Sequence, residues 1–225
     1  MIAIVIFAVL GLLTGSLINW AADVAPRFAI DRSAVPRDLR PRWQLALLTR
    51  PAALPIVVEL LTAALFALIA ARHALTPTAF QLAALIGFFM LITVIDLKHR
   101  LVLNVLIYPA AVLITLSQLG ATADWISAIL GGAFGLLIFM VVAWLRPGEL
   151  GGGDVKLAAL IGLLFGFPDV LWALLVAVCA GGVAAIGLIK LRHQSAQAHM
   201  PYAPFLCLGA VIALFYNPLL MLFQR

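Results

Sequence analysis

Eight apolar segments, most of them close to the length of a membrane crossing, constrain this chain more than any other feature. A helix needs roughly 20 apolar residues to cross a hydrocarbon layer of about 30 Å. Hydrophobic residues make up 65% of the 225 residues, charged residues 10%, and the mean hydropathy is +1.18, which is too apolar for a soluble globule. The sequence therefore predicts an all-α fold, a polytopic transmembrane helical bundle, with segments at 1–21, 52–71, 79–96, 101–119, 125–145, 155–167, 169–189 and 202–222.

Two of these segments differ from the others. Segment 155–167 covers only about 20 Å at 1.5 Å per residue, so we interpret it as a tilted, partial or re-entrant helix packed inside protein. Phe167-Pro168-Asp169, which has the composition of a tight turn, separates it from the next segment. Segment 1–21 has neither a basic start nor an A-x-A-like cleavage site, so we expect a retained helix and not a removed signal peptide.

Lysine and arginine are concentrated in alternate loops, and this predicts the orientation of the chain. Loops rich in these residues stay in the cytoplasm. Six arginines lie in segment 22–50 and six more basic residues lie in the third, fifth and seventh loops, against only Arg72 and Arg225 on the other side. Both termini are therefore expected outside the cytoplasm. If segment 155–167 is re-entrant, the count is eleven against three, and the amino terminus is still expected outside. The net charge of +5 reflects this topology signal, so nucleic acid is not an expected partner.

Two aspartates fall at the predicted cytoplasmic margin of the bilayer. Asp96 ends the third segment and Asp154 opens the sixth. A carboxylate beside a span usually faces a bundle interior, a partner or a water-filled cavity, because dehydrating its charge is costly. Position alone leaves two interpretations open: interfacial carboxylates paired with Lys98 or Lys156, or members of a functional site.

Gly151-Gly152-Gly153 directly precedes Asp154. A backbone without β-carbons can adopt positive φ and lets another chain approach closely. The run is not a phosphate-binding loop, because the GxxxxGK[ST] pattern and a preceding strand are missing. Two carboxyl groups in a partly dehydrated site couple their titrations, and a pair that shares one proton can activate water against an amide. The pattern therefore favours an aspartic peptidase.

These residues resemble the GxGD-type membrane aspartic peptidases, and among them the bacterial type IV prepilin peptidase (leader peptidase) family. The stretch "GGGDVKLAALIG" is similar to the family's GxGD-centred motif, and "IDLKHRLVLNVLIYP" is similar to the segment with its other aspartate. The stretches "GLLTGSLINW", "VELLTAALFAL" and "MPYAPFLCLGAVIALF" match in order, so the resemblance covers nearly the whole chain. It implies that Asp96 and Asp154 are the catalytic aspartates.

The resemblance also implies a function and a location. The chain is expected to be a hydrolase of the bacterial inner membrane that removes the basic leader peptide from type IV prepilins or pseudopilins at the cytoplasmic face. Residues 1–225 would form a single integral-membrane peptidase domain. Prepilins or pseudopilins and membrane lipid are the expected partners, and proteolysis by two aspartates is expected to need no cofactor and no metal.

Five further positions are predicted to bind substrate or to shape the site. Glu59 lies inside the second segment, where an unpaired charge is costly, so a role in shaping the site and a role in helix packing both remain open. Asn19 either bridges two helices or binds substrate backbone. Lys156 either tunes the aspartate pair or reaches lipid phosphates. Gly151 and Gly153 are expected to admit the extended leader junction.

The chain departs from the family in its first cytoplasmic loop. Many members carry two CxxC pairs there, suited to a zinc site, whereas residues 22–50 are rich in arginine and contain no cysteine. Members often also methylate the new amino terminus with S-adenosylmethionine, and the reduced loop argues against that second activity. Cys179 and Cys207 lie in apolar segments and are interpreted as packing residues. Leu103 stands where the family commonly has proline, which alters the local helix start.

Two other classes of function remain open on sequence alone. A non-catalytic membrane protein of pilus or secretion assembly would keep the family fold, and a small ion-coupled transporter would use Glu59, Asp96 and Asp154 as a proton path. The presence of both aspartates with the glycine run argues against the first class. The lack of an evident inverted repeat argues against the second. The sequence therefore favours the peptidase.

Overall fold

The computed structural model describes residues 1–29, 53–119, 125–145, 150–192 and 201–218. Within these ranges the chain forms eight α-helices and no strand, one helix for each predicted segment. Most of the arginine-rich loop, at 30–52, lies outside the described residues. The helices are α1 (Ile2–Ala29), α2 (Ala53–His73), α3 (Pro77–His99), α4 (Asn104–Leu119), α5 (Trp125–Leu145), α6 (Gly152–Phe165), α7 (Val170–Arg192) and α8 (Ala203–Phe215).

Five helices are long and apolar enough to cross a membrane: α1, α2, α3, α5 and α7. Helices α4 and α8 are shorter apolar helices. Helix α6 has 14 residues, which at 1.5 Å per residue gives about 21 Å, less than the roughly 30 Å of a hydrocarbon core. The chain is therefore a multi-pass membrane protein, and the predicted all-α polytopic fold is confirmed.

The helix bounds differ from the predicted segments mainly where a helix leaves the apolar run. Helix α1 continues beyond residue 21 and through Pro26 to Ala29. Contacts of Ala22 and Asp23 with the end of α3 stabilise this extension, and hydropathy gives no signal for such contacts. Helix α8 ends at Phe215, where the Tyr216 N–H donates to the Ile212 carbonyl. Asn217 precedes a proline, and residues before proline disfavour helix.

The helices form two compact units, Met1–His99 and Arg100–Arg225. In the first unit, α1 packs closely along α2, and α3 packs against both. A β-carbon on Gly11 would lie 2.6 Å from Ala63 Cα, and one on Gly15 would lie 2.7 Å from Glu59 Cα. Small residues four apart allow two backbones to approach in this way. The interpretation of residues 1–225 as one domain stays a prediction.

In the second unit, α6 contacts α4, α5, α7 and α8. Its closest neighbour is α5. The two backbones approach so closely that β-carbons on Gly131 and Gly135 of α5 would collide with the carbonyl oxygens of Gly162 and Ala158 of α6. The side chain of Leu157 on α6 is fully buried. Helix α6 is thus the interior helix of its unit, which fits a segment too short to cross the membrane alone.

Candidate active site

Asp154 lies in the first turn of α6, where helix N–H groups have no partner within the helix. Its Oδ2 accepts a hydrogen bond from the Gly151 N–H at 3.2 Å, and its own N–H donates to the Gly151 carbonyl at 3.0 Å. A carboxylate at this position is also favoured by the helix dipole. Asp154 is 8% exposed. The start of α6 therefore holds a buried aspartate against the glycine that precedes the helix.

The glycine run leads directly into α6 and contains no residue with positive φ. Gly151 is extended, with φ −76° and ψ 145°, and Gly166 is the one glycine with positive φ in the described ranges. Gly152 and Gly153 belong to α6 and not to a loop. The positive φ that glycine permits is not used in this run, since an extended Gly151 bonded to Asp154 begins the helix.

Gly153 does show the predicted close approach. A β-carbon there would lie 2.6 Å from Val102 Cβ, just before α4, whereas a β-carbon on Gly152 would meet nothing within 4 Å. One on Gly151 would lie 3.4 Å from Asp154 Oδ2, an ordinary contact. Space therefore requires glycine only at the third position of the run. A role of Gly151 and Gly153 in admitting substrate stays a prediction.

Lys156 reaches from α6 to one face of α4. Its Nζ donates to Asn104 Oδ1 at 2.8 Å and to the Tyr108 hydroxyl at 3.2 Å, and it lies 5.3 Å from the centre of the Tyr108 ring. Neither Asn104 nor Tyr108 was predicted from the sequence as a site residue. Their spacing of four residues was the available signal, because it places both on the same side of a helix.

Tyr202, immediately before α8, is a second residue that the sequence analysis missed. Burial and, second, the charge of the Asp154 carboxylate raise the pKa of its phenol above the ordinary value of 10.0. Its ring lies 6.0 Å from that of Phe139 and 6.3 Å from that of Phe205. A neutral hydroxyl group is therefore held within electrostatic range of Asp154. It stands in the stretch "MPYAPF", which had been matched to the family only as a whole.

Asp96 lies in the last turn of α3 and is 4% exposed. Two bonds hold this helix end on α1: Lys98 Nζ pairs with Asp23 Oδ1 at 2.8 Å, and His99 Nε2 lies 3.0 Å from the Ala22 carbonyl oxygen. Lys98 thus pairs with Asp23, and Lys156 binds Asn104 and Tyr108. The interpretation of Asp96 and Asp154 as interfacial carboxylates paired with Lys98 or Lys156 stays untested.

Asn19 and Glu59 lie where α1 meets α2. Asn19 Nδ2 donates to the Pro55 carbonyl at 3.1 Å, which is an interhelical hydrogen bond. Glu59 is fully buried, and its Cα lies beside Gly15 of α1. Substrate binding by Asn19 stays a prediction, as does a role of Glu59 in shaping the site.

The structure thus brings the predicted residues together in two groups. The first unit places Asn19 and Glu59 on the same helix contact and joins Asn19 to the end of α3, since Lys98 Nζ lies 3.5 Å from the Asn19 carbonyl oxygen. The second unit places the glycine run, Asp154 and Lys156 at the start of α6. The pairing of Asp96 with Asp154, one from each unit, stays a prediction.

The described residues contain no group of three or more His, Cys, Asp or Glu side chains that would hold a metal ion. Cys207 is buried in α8, as its packing interpretation required. Cys179 is exposed on α7, so the packing interpretation is wrong for this residue within its unit. Hydropathy placed Cys179 correctly in a span, but a helix with apolar residues on all sides gives no signal for its outward face.

Comparisons with known proteins point to one family. Residues 83–186 match the type IV leader peptidase family. A prepilin leader peptidase/N-methyltransferase of Bacillus subtilis is 28% identical over 160 residues, covering 71% of this chain and 64% of the relative. Relatives with the same name from Pseudomonas aeruginosa (28% identical; 72% and 58% covered) and Aeromonas salmonicida (34% identical; 72% and 57% covered) are also similar.

The chain spans between 57% and 64% of the length of these three relatives. No solved structure gives a significant match. The matched range 83–186 includes both Asp96 and Asp154.

Proposed function

We propose that this chain, whose residues 83–186 match the type IV leader peptidase family, is a membrane aspartic endopeptidase that removes the leader from prepilins or pseudopilins. The observation that carries the proposal is the position of Asp154. It is a buried carboxyl group, 8% exposed, bonded to Gly151 at the start of an interior helix. Asp96, in the last turn of α3, supplies the second buried carboxyl group.

The mechanism needs one proton shared between the two aspartates. The ionised carboxylate accepts a proton from a water molecule while the water oxygen attacks the carbonyl carbon of the scissile amide. The protonated carboxyl group gives its proton to the amide nitrogen as the carbon–nitrogen bond breaks. Burial supports this arrangement, because a low local dielectric strengthens the coupling between two acids and disfavours both being ionised.

The proposed location is the bacterial inner membrane, with the active site at the cytoplasmic face. Of the fourteen lysines and arginines, twelve lie on one side if α6 crosses the membrane and eleven if it does not, so the orientation of the first five helices is supported in either case. A substrate with a short basic leader followed by an apolar helix would present its scissile bond at the same face. A reporter fused after Lys98 should be cytoplasmic and one fused after Arg72 periplasmic. A periplasmic result at Lys98 would contradict the mechanism.

The test replaces each aspartate by asparagine, which keeps the shape but cannot share the proton. Asp96→Asn and Asp154→Asn are each expected to lower the cleavage rate of a purified precursor by at least about 100-fold, because general acid–base groups contribute that much. Mass spectrometry of the product measures the cleavage, and membrane extraction checks insertion. Near-normal processing by either variant would remove that residue from catalysis.

Asp23→Asn is the matched control. Asp23 is a carboxylate at the same end of the first unit as Asp96, but its side chain is 50% exposed and it pairs with Lys98. An exposed ion pair contributes only about 0–1 kcal/mol. This variant should therefore retain cleavage. An equal loss in Asp23→Asn would indicate that any change of charge at this end inactivates the protein.

We propose that methyl transfer is weak or absent. The relatives' names include N-methyltransferase, but this chain has only two cysteines, Cys179 on α7 and Cys207 on α8, so it cannot supply a four-cysteine zinc site. Mass spectrometry of the mature amino terminus, with this protein as the sole processing enzyme, tests the point. A fully methylated product would contradict it.

A further inference from the structure

Residues 102–108 contact the start of α6 on both sides of Asp154 in sequence. Val102 lies against Gly153, one residue before the aspartate, where a β-carbon would be only 2.6 Å from the Val102 side chain. Asn104 binds Lys156, two residues after the aspartate, at 2.8 Å. The segment that begins α4 therefore holds the first turns of α6 at two points that bracket Asp154.

The Lys156 ammonium is fixed by several contacts at once. Asn104 and the Tyr108 hydroxyl accept two of its three N–H groups, and the Tyr108 ring lies 5.3 Å away, within the range of a cation–π contact. Residues two apart on a helix do not face each other, so Lys156 does not point toward Asp154. An effect of Lys156 on Asp154 must therefore pass largely through the position of the α6 backbone.

We infer that Asn104 is a positioning residue for cleavage: by binding the Lys156 ammonium it fixes the start of α6 and so the direction of the Asp154 carboxyl group. The inference rests on the proposed peptidase function. Asn104 itself is exposed at the first residue of α4 and touches no reacting atom in this arrangement. Its effect should therefore appear in the rate of the chemical step more than in substrate binding.

The experiment is a double-mutant cycle with Asn104→Ala and Lys156→Met, measured as cleavage of a purified prepilin in detergent. Loss of a hydrogen bond to a charged group should lower kcat about tenfold in each single variant. KM should stay within about twofold of the wild-type value. The double variant should be no slower than Lys156→Met, because both changes remove the same contact. Tyr108→Phe, which keeps the ring, should lose less.

Two further variants separate positioning from a general structural role. Asn104→Asp keeps an acceptor oxygen for the ammonium and should recover most of kcat. Thr115→Ala is the control on the same helix, since the Thr115 hydroxyl donates only to the Ala111 carbonyl within α4, and it should leave kcat unchanged. Thermal unfolding of each variant is measured in parallel. If Asn104→Ala does not fold, the comparison of Asn104→Asp with Tyr108→Phe carries the test.

The outcomes are distinguishable. Losses that multiply in the double variant, or an Asn104→Asp variant as slow as Asn104→Ala, would overturn the inference while the peptidase function stands. A rise in KM at constant kcat would also overturn it, because it would make Asn104 and Lys156 substrate contacts. A wild-type protein that cleaves no prepilin would overturn the proposed function, and this inference with it.

Discussion

The three glycines before Asp154 are predicted to differ sharply in their tolerance of alanine. A β-carbon on Gly153 would lie 2.6 Å from Val102 Cβ, and 3.3 and 3.4 Å from the two methyl carbons of Val102. A β-carbon on Gly152 would have no neighbour within 4 Å. The two residues are adjacent and both begin α6. Gly152→Ala is therefore a matched control for Gly153→Ala.

The magnitude follows from the distance. Carbon atoms in contact are normally about 3.5–4.0 Å apart, so either Val102 or the α6 backbone must move by about 1 Å. Overpacking of this kind costs about 1–3 kcal/mol, of which the better helix propensity of alanine recovers up to about 1 kcal/mol. The effect on activity should be larger, because a misplacement of about 1 Å at a catalytic group can cost about 100-fold. Gly152→Ala should be neutral or slightly stabilising.

The assay is prepilin cleavage together with thermal unfolding of each purified variant. A swap tests the cause: Val102→Gly combined with Gly153→Ala moves the β-carbon from one residue to the other and should cleave faster than Gly153→Ala alone. Val102→Ala should rescue poorly, because it keeps the β-carbon that makes the contact. If Gly152→Ala is as slow as Gly153→Ala, or if the swap recovers nothing, contact with Val102 is not the reason for the glycine.

Three further changes have expected results. Gly15→Ala should lower both cleavage and the unfolding temperature, because its β-carbon would lie 2.7 Å from Glu59 Cα, whereas Gly87→Ala, with its nearest neighbour at 3.5 Å, should be tolerated. A chelator should leave cleavage intact, because two aspartates generate the nucleophile without a Lewis acid; zinc-dependent cleavage would contradict this. Burial raises the pKa of Asp169 above 3.8, so its ionisation destabilises the fold as pH rises through the folded-state pKa. Asp169→Asn should therefore unfold at a higher temperature than wild type at neutral pH, with a difference that shrinks toward about pH 4.

The sequence predicted the order and number of the helices because a bilayer leaves little choice. Backbone groups in hydrocarbon must bond within their own segment, so each apolar run becomes a helix. Helix ends were predicted less well, as α1 shows: hydropathy detects the end of the apolar run near residue 21, but the helix continues to Ala29. Lys98 and His99 support that extension from α3. No local sequence pattern in α1 predicts contacts with Lys98 and His99, which lie more than 70 residues further along the chain.

The same limit applies to the candidate site. The sequence predicted the aspartates and the glycine run as site residues, because a carboxylate beside a membrane span and a run without β-carbons are each unusual at that place. The residues that contact them could not be predicted from the sequence. The approach of Val102 to Gly153 and the bond from Lys156 to Asn104 depend on how the segment around the start of α4 packs against α6. The sequence also left open which property of the glycines the fold uses. A glycine run indicates either backbone freedom or close packing, and only the fold decides between them.

The short helix α6 explains how an aspartate can be fixed at one end of a helix that need not cross a membrane. Four other helices contact it within its unit, so its sides are covered without lipid. Its far end is held by main-chain bonds: the Gly166 N–H donates to the Gly162 carbonyl at 2.8 Å, and the Phe167 N–H donates to the Ser127 carbonyl at 2.8 Å. Ser127 Oγ donates back to the Phe167 carbonyl at 2.6 Å. One end of α6 is thus bonded to α5 and the other packs against the start of α4, close to Asp154. In the proposed peptidase, this anchoring would fix the place of the Asp154 carboxyl group in its unit.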